Sequence, residues 1–192
     1  MTLTRPPVRR RFITLPLAVG LALGCQALGG TARAAEALSW APLKQTIRDR
    51  FPAVRHLSVT DLHGWLRDPG RPAPLLIDTR SAEEYADGHL PGALHAESVA
   101  QFQQLRQRLG PQAATRPVVL YCSVGYRSSA LVTALGPSGV GGDSVYNLEG
   151  SIFEWANRGL PVVANDGQSA KVHPFNRKWG SLLRRELWSR EP

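Results

Sequence analysis

Two short runs, "LLIDTR" (75–80) and "PVVLYC" (117–122), limit what this chain can fold into more than any other feature. Each is apolar over the length of a strand, lacks polar alternation and ends in polar residues. A strand of that kind must be covered on both faces, the arrangement of a parallel sheet with helices above and below. Shorter strands are read at "VRHLSV" (54–59), within "GHLPGALHAE" (88–97) and at "SVYNLEG" (144–150). Between them lie helical patterns: "LKQTIRDRF" with Leu43, Ile47 and Phe51 on one side and Pro52 as its stop; "DLHGWL" with Thr60 as N-cap; and "VAQFQQLRQRL" (99–109). "SAEE" (81–84) is a capping box opening a short helix, and "SSALVTAL" (128–135) and "SIFEWANRG" (151–159) read as further helices, the last closed by a glycine. This alternation predicts an α/β fold with a mainly parallel central sheet of about five strands and helices on both faces.

The formal charge of +8 divides unevenly along the 192 residues. Residues 1–34 hold 5 arginines and no acids, residues 35–164 hold 12 basic and 12 acidic side chains, and residues 165–192 hold 6 and 3. A neutral body offers no clustered basic face for nucleic acid. The N-terminus reads as an export signal: "RPPVRRRF" is the positive region, "FITLPLAVGLALG" the apolar stretch and "ARA" (32–34) the cleavage site. That stretch is short for a bilayer span and contains Pro16. The expected product is an exported, periplasmic chain cleaved after Ala34. "RRRFI" (9–13) resembles the twin-arginine export motif, and "LALGC" (21–25) offers lipid anchoring through Cys25 as the alternative. Cleavage leaves Cys122 as the sole cysteine, and a lone thiol in an oxidising compartment is either deeply buried or functional.

"YCSVGYRSS" (121–129) carries the chemistry. The strand "VVLY" delivers Cys122 to a carboxyl end, where parallel sheets bind ligands, and a helix starting near Ser128 would turn its free N–H groups toward the loop. Gly125 lets successive amides face inward as an anion nest. Amides, helix dipole and Arg127 together favour thiolate over thiol; such surroundings lower a cysteine pKa from about 8.5 to between roughly 3.5 and 7.5. No carboxylate lies in the stretch, leaving thiolate and bound anion unopposed. The alternative is a small buried residue ending a core strand.

Three segments resemble one family. "CSVGYRS" is similar to the C-x-x-G-x-R-S active-site loop of rhodanese-like sulfurtransferases, "IDTRSAEEYADGHLPGALH" (77–95) to their D-x-R…G-H-[IL]-P-G-A segment, and "VYNLEGSIFEWANRGLPV" (145–162) to their closing pattern, with Ser151 in place of a second glycine. The resemblance covers about residues 54–163, in the family's order. It implies a rhodanese-like fold and a persulfide mechanism. Cys122 would take the outer sulfur of a donor such as thiosulfate and pass it to a thiophilic or protein acceptor. Ser123, Val124, Gly125, Tyr126, Arg127 and Ser128 would form the persulfide-binding loop, Arg127 orienting a small anionic donor. Asp78, Arg80 and Glu84 would support the site, and no cofactor or metal is implied. Phosphatases and arsenate reductases of this fold use a loop one residue longer, H-C-x5-R, against C-x4-R here, and the shorter loop suits a single sulfur atom. A partner-dedicated sulfur relay and a thiol redox sensor are the alternative functions; the sensor lacks a second cysteine to resolve a sulfenic acid.

His56, His63, His95 and His173 show no ligand spacing with one another or with Cys122; His89 reads as a hydrogen-bonded turn residue rather than a proton shuttle, and Trp155 as core. The lead-in helix occupies residues 35–53. Residues 164–192 form a basic extension in which Trp179, Leu183 and Leu187 fall at i, i+4, i+8, predicting an amphipathic helix. That helix would either dock on the domain or meet a protein or anionic membrane.

Overall fold

The computed structural model describes residues 38–111, 115–136 and 144–192. The export signal read over 1–34 and its lipid-anchor alternative at Cys25 lie outside the described residues. In chain order the elements are α1 (Trp40–Arg50), β1 (Arg55–Leu57), α2 (Val59–Leu66), β2 (Leu75–Asp78), α3 (Ala82–Asp87), β3 (Leu94–His95), α4 (Val99–Leu109), β4 (Val118–Tyr121), α5 (Tyr126–Leu135), β5 (Val145–Leu148), α6 (Ser151–Asn157) and α7 (Arg177–Gly180). All five strands pair in parallel in the order β1-β5-β4-β2-β3.

The two constraining runs become the inner strands β2 and β4, buried at every residue. Their side chains alternate between two cores. Leu75, Ile77, Val118 and Leu120 pack with Phe102 and Leu105 of α4 and Leu131 and Leu135 of α5. Leu76, Val119, Tyr121 and Leu148 pack with Leu62 and Trp65 of α2 and with Ile152, Phe153 and Trp155 of α6. Burying β4 on both faces sets its carboxyl end, and Cys122 with it, at the middle of the sheet edge.

Three local expectations change. The N-cap of α2 is Ser58, whose Oγ accepts from the Asp61 amide (3.1 Å); Thr60 instead accepts from Arg158 (2.8 Å). Helix α5 starts at Tyr126 rather than near Ser128, because Gly125 takes a left-handed φ of 106° and serves as N-cap. Tyr126 and Arg127 therefore sit in the first helical turn. The amphipathic helix expected over the C-terminal extension does not form. Helix α7 stops at Gly180, where a Cβ would lie 2.7 Å from the Trp188 ring, so the chain folds tightly back on itself. Leu182 and Leu183 are buried in the α2–α6 core, with Trp179, Leu187 and Trp188 packed around them. Arg190 then pairs with Glu83 and Asp87 of α3. The apolar side chains are thus docked, but by a folded-back strap and not along one helical stripe.

Candidate active site

Cys122 follows β4 directly and is 1 % exposed. Its amide donates to the Ser151 hydroxyl (3.2 Å), which in turn donates to the Leu148 carbonyl (2.9 Å). Its carbonyl and that of Ser123 accept from the Ile152 and Phe153 amides at the start of α6 (3.2 and 3.1 Å). The loop is thereby clamped between two helix N-termini. The Gly125 amide donates to the Cys122 sulfur (3.2 Å). Glycine is required there: with φ at 106°, a Cβ would also press on Asn147 Nδ2 at 3.3 Å.

Burial is the largest single influence on the thiol and opposes its ionisation. The Arg127 charge, hydrogen bonds from the Ser128 amide and hydroxyl, and the Gly125 amide outweigh it, and the thiol lies below its ordinary value. The Ser128 hydroxyl has one proton to give, and in this geometry it is directed to Asn147 Oδ1 (2.6 Å). The amides and Arg127 are therefore the firmer part of that balance.

A carboxylate does stand beside the loop, contrary to the expectation from residues 121–129 alone. Helix α3 brings in Glu84, whose two oxygens accept from both terminal nitrogens of Arg127 (2.8 and 2.7 Å). Glu84 also accepts from the Ser81 amide (3.0 Å), completing the capping box, and from the Ser123 hydroxyl (3.2 Å). Burial would raise its carboxyl, but Arg127, the Ser81 amide and Arg80 hold it down at about 2. Arg127 reaches the Ser123 hydroxyl as well (3.0 Å), and its guanidinium carbon lies 5.0 Å from the centre of the Phe175 ring. This arginine is held in place rather than left free in solvent.

Asp78 and Arg80 form a separate, fully buried pair at the end of β2: Arg80 donates to both carboxylate oxygens and to the Gly88 carbonyl. Thr79 between them donates through its amide and hydroxyl to the Tyr121 carbonyl (2.9 and 3.0 Å), tying this pair to the residue before Cys122. His89 stacks on Tyr85 and hydrogen-bonds its carbonyl, His95 hydrogen-bonds the carbonyl of Arg80, and neither is among the described residues lining the cavity at Cys122. Trp155 is core, its indole donating to Pro161. Among the described residues no three His, Cys, Asp or Glu side chains are grouped to hold a metal ion.

Sequence reasoning missed three parts of the site. Ser151 stood out as a departure from a glycine pattern, yet nothing local showed that its hydroxyl holds the Cys122 amide, or that it would sit at a φ of 49°. The Glu84–Arg127 pair spans 43 residues, with no periodicity linking its members. Phe175 and Trp179 join Cys122, Val124 and Arg127 around a cavity of about 180 Å³ above the sulfur.

This geometry, a parallel α/β sheet presenting one cysteine in a C-x4-R loop at a helix N-terminus, defines a recognisable class. The chain belongs to the rhodanese-like domain family, whose sequence model matches residues 58–158. Among similar proteins is a sulfurtransferase of Allochromatium vinosum, 38 % identical over 93 residues that make up 48 % of this chain and 81 % of that one. A tRNA uridine(34) hydroxylase of Xanthomonas campestris is 37 % identical over 139 residues, 69 % of this chain but 51 % of that protein. The thiosulfate sulfurtransferase of Pseudomonas aeruginosa shares the fold, with a TM-score of 0.52 at 18 % identity over 68 % of this chain and 23 % of that one.

Proposed function

We propose that this protein is a sulfurtransferase that carries a sulfane sulfur as a persulfide on Cys122, in an exported chain. The observation that carries the reading is the setting of the Cys122 sulfur: buried, at the start of α5, with the Gly125 amide directed at it and its thiol lowered despite burial. The thiolate attacks the outer sulfur of a donor such as thiosulfate. The Sγ–S bond forms, the donor's S–S bond breaks, and sulfite departs with the electron pair, leaving Cys–S–S⁻. An acceptor thiolate then attacks the outer sulfur and regenerates the Cys122 thiolate. Overall charge is conserved in each step, and no general base is needed when the nucleophile is already ionised. On this reading the amides that lower the thiol also stabilise the persulfide anion. Membership of the rhodanese-like family and likeness to a sulfurtransferase support this reading.

The test incubates the wild-type protein and Cys122→Ser with thiosulfate, mercaptopyruvate and polysulfide, then measures intact mass and cyanolysable sulfur. The wild type is expected to gain one sulfur atom, and the variant none. A wild type that takes up no sulfur from any of the three, or a variant that takes it up equally, overturns the proposal.

A further inference from the structure

The cavity above Cys122 is built from two parts of the chain. One wall is the loop and first turn of α5, with Val124, Tyr126 and Arg127; the other is Phe175 and Trp179 of the C-terminal strap. The strap lies outside the stretch matched by the family, so this wall is a feature of this chain's own extension. It is firmly built: the Phe175 amide donates to His173 Nδ1 (2.9 Å), the Trp179 amide to Asn176 Oδ1 (3.0 Å), and Asn157 of α6 holds both the Leu182 carbonyl and the Arg184 amide (2.7 and 2.9 Å). Phe175 itself occupies a left-handed backbone conformation, φ 67°, which places its ring over Arg127. Tyr126 and Phe175 remain 42 % and 44 % exposed at the rim, although both are large apolar side chains.

The charges at this cavity do not suit an inorganic dianion. Arg127 is the one cation among the described residues lining it, and both its terminal nitrogens are occupied by Glu84 while Phe175 covers its face. Glu84, Arg127 and an ionised Cys122 together leave one net negative charge beside the sulfur. A second approaching charge is repelled more if it is divalent and small than if it is single and attached to an apolar body. About 180 Å³ of mostly apolar space is sufficient for such a body, since an apolar cavity of roughly 150 Å³ accepts a benzene ring.

We infer that the C-terminal strap is a specificity element, and that Phe175 selects a monoanionic organic sulfane-sulfur donor with an apolar body over thiosulfate. This rests on the persulfide reading of Cys122. For a thiosulfonate, R–SO2–S⁻, the Cys122 thiolate attacks the terminal sulfur, the Sγ–S bond forms, and the S–S bond breaks with both electrons leaving on the sulfinate R–SO2⁻. The R group rests between Phe175 and the α5 turn.

The experiment measures kcat/KM of the full chain with benzenethiosulfonate, methanethiosulfonate and thiosulfate, trapping the transferred sulfur as thiocyanate with cyanide. Wild type, Phe175→Ala and Phe175→Leu are compared, so intrinsic differences between donors cancel. The benzene-to-methane and benzene-to-thiosulfate ratios are expected to fall about tenfold in Phe175→Ala and to recover most of that loss in Phe175→Leu. In the wild type, benzenesulfinate is expected to inhibit about tenfold more tightly than methanesulfinate, a reading that needs no variant. Sulfur uptake with unchanged ratios, equal inhibition by the two sulfinates, or a wild-type preference for thiosulfate overturns the inference; in each case the wall serves another occupant, such as an apolar side chain of a partner protein. Absence of sulfur uptake from every donor overturns the persulfide reading itself.

Discussion

Burial opposes ionisation of Cys122, yet its thiol lies below the ordinary value, and single residues around it tilt that balance. Arg127 contributes a charge that removal would delete, but removing it alone leaves Glu84 buried without its partner. The informative variant is therefore the double substitution Arg127→Gln with Glu84→Gln, which leaves neither an unpaired charge nor an ion pair beside the thiol. Its thiol is expected to titrate at higher pH than the wild type's, measured by thiolate absorbance against pH; an unchanged midpoint would assign the shift to the amides alone. Ser151 acts on the other side of the same residue. Alanine there retains the strained φ of 49° and strips the Cys122 amide of its partner in a buried position. Ser151→Ala is expected to cost about 1–3 kcal/mol in denaturant unfolding. Cys122, Gly125 and Arg127 were legible as a group because they fall within six consecutive residues. Ser151's contact was not, since 29 residues separate it from Cys122.

At the scale of elements, α3 and α5 are joined by the Glu84–Arg127 pair, and this joint is sensitive to acid. Glu84 is lowered from about 4.5 to about 2, so it binds a proton more readily in the unfolded chain. The stability it supplies is complete above about pH 4.5 and disappears as pH falls through about 2, a difference on the order of 3 kcal/mol. Urea midpoints measured between pH 5 and pH 2 are expected to fall more steeply for the wild type than for Glu84→Gln. Parallel curves would show that the pair contributes nothing to folding. The capping box itself could be read from "SAEE" because both partners sit within one turn. The cap of α2 was misread by two residues for the converse reason: Ser58 and Thr60 are both competent caps, and Arg158, 98 residues away, engages Thr60.

Across the whole molecule, the C-terminal strap is part of the fold and not an appendage. Val172, Leu182 and Leu183 are buried in the main core, and Arg190 reaches back to α3, the helix that holds Glu84. A chain truncated at Asn165 is expected to lose several degrees of thermal stability or more, because removing these side chains exposes the core face beneath them. A melting temperature equal to that of the full chain would show the strap to be only loosely attached. The sequence by itself determined the parallel sheet, its covered faces and the cysteine loop at a strand end. Those features follow from burial patterns and from groups adjacent along the chain, where local physics is decisive. Only the tertiary structure decided that Arg127 is paired with Glu84, that Ser151 secures the Cys122 amide, and that Phe175 and Trp179 roof the sulfur. Each of these joins segments remote in sequence, and the free energy of such contacts arises only when the packed core brings their side chains within reach.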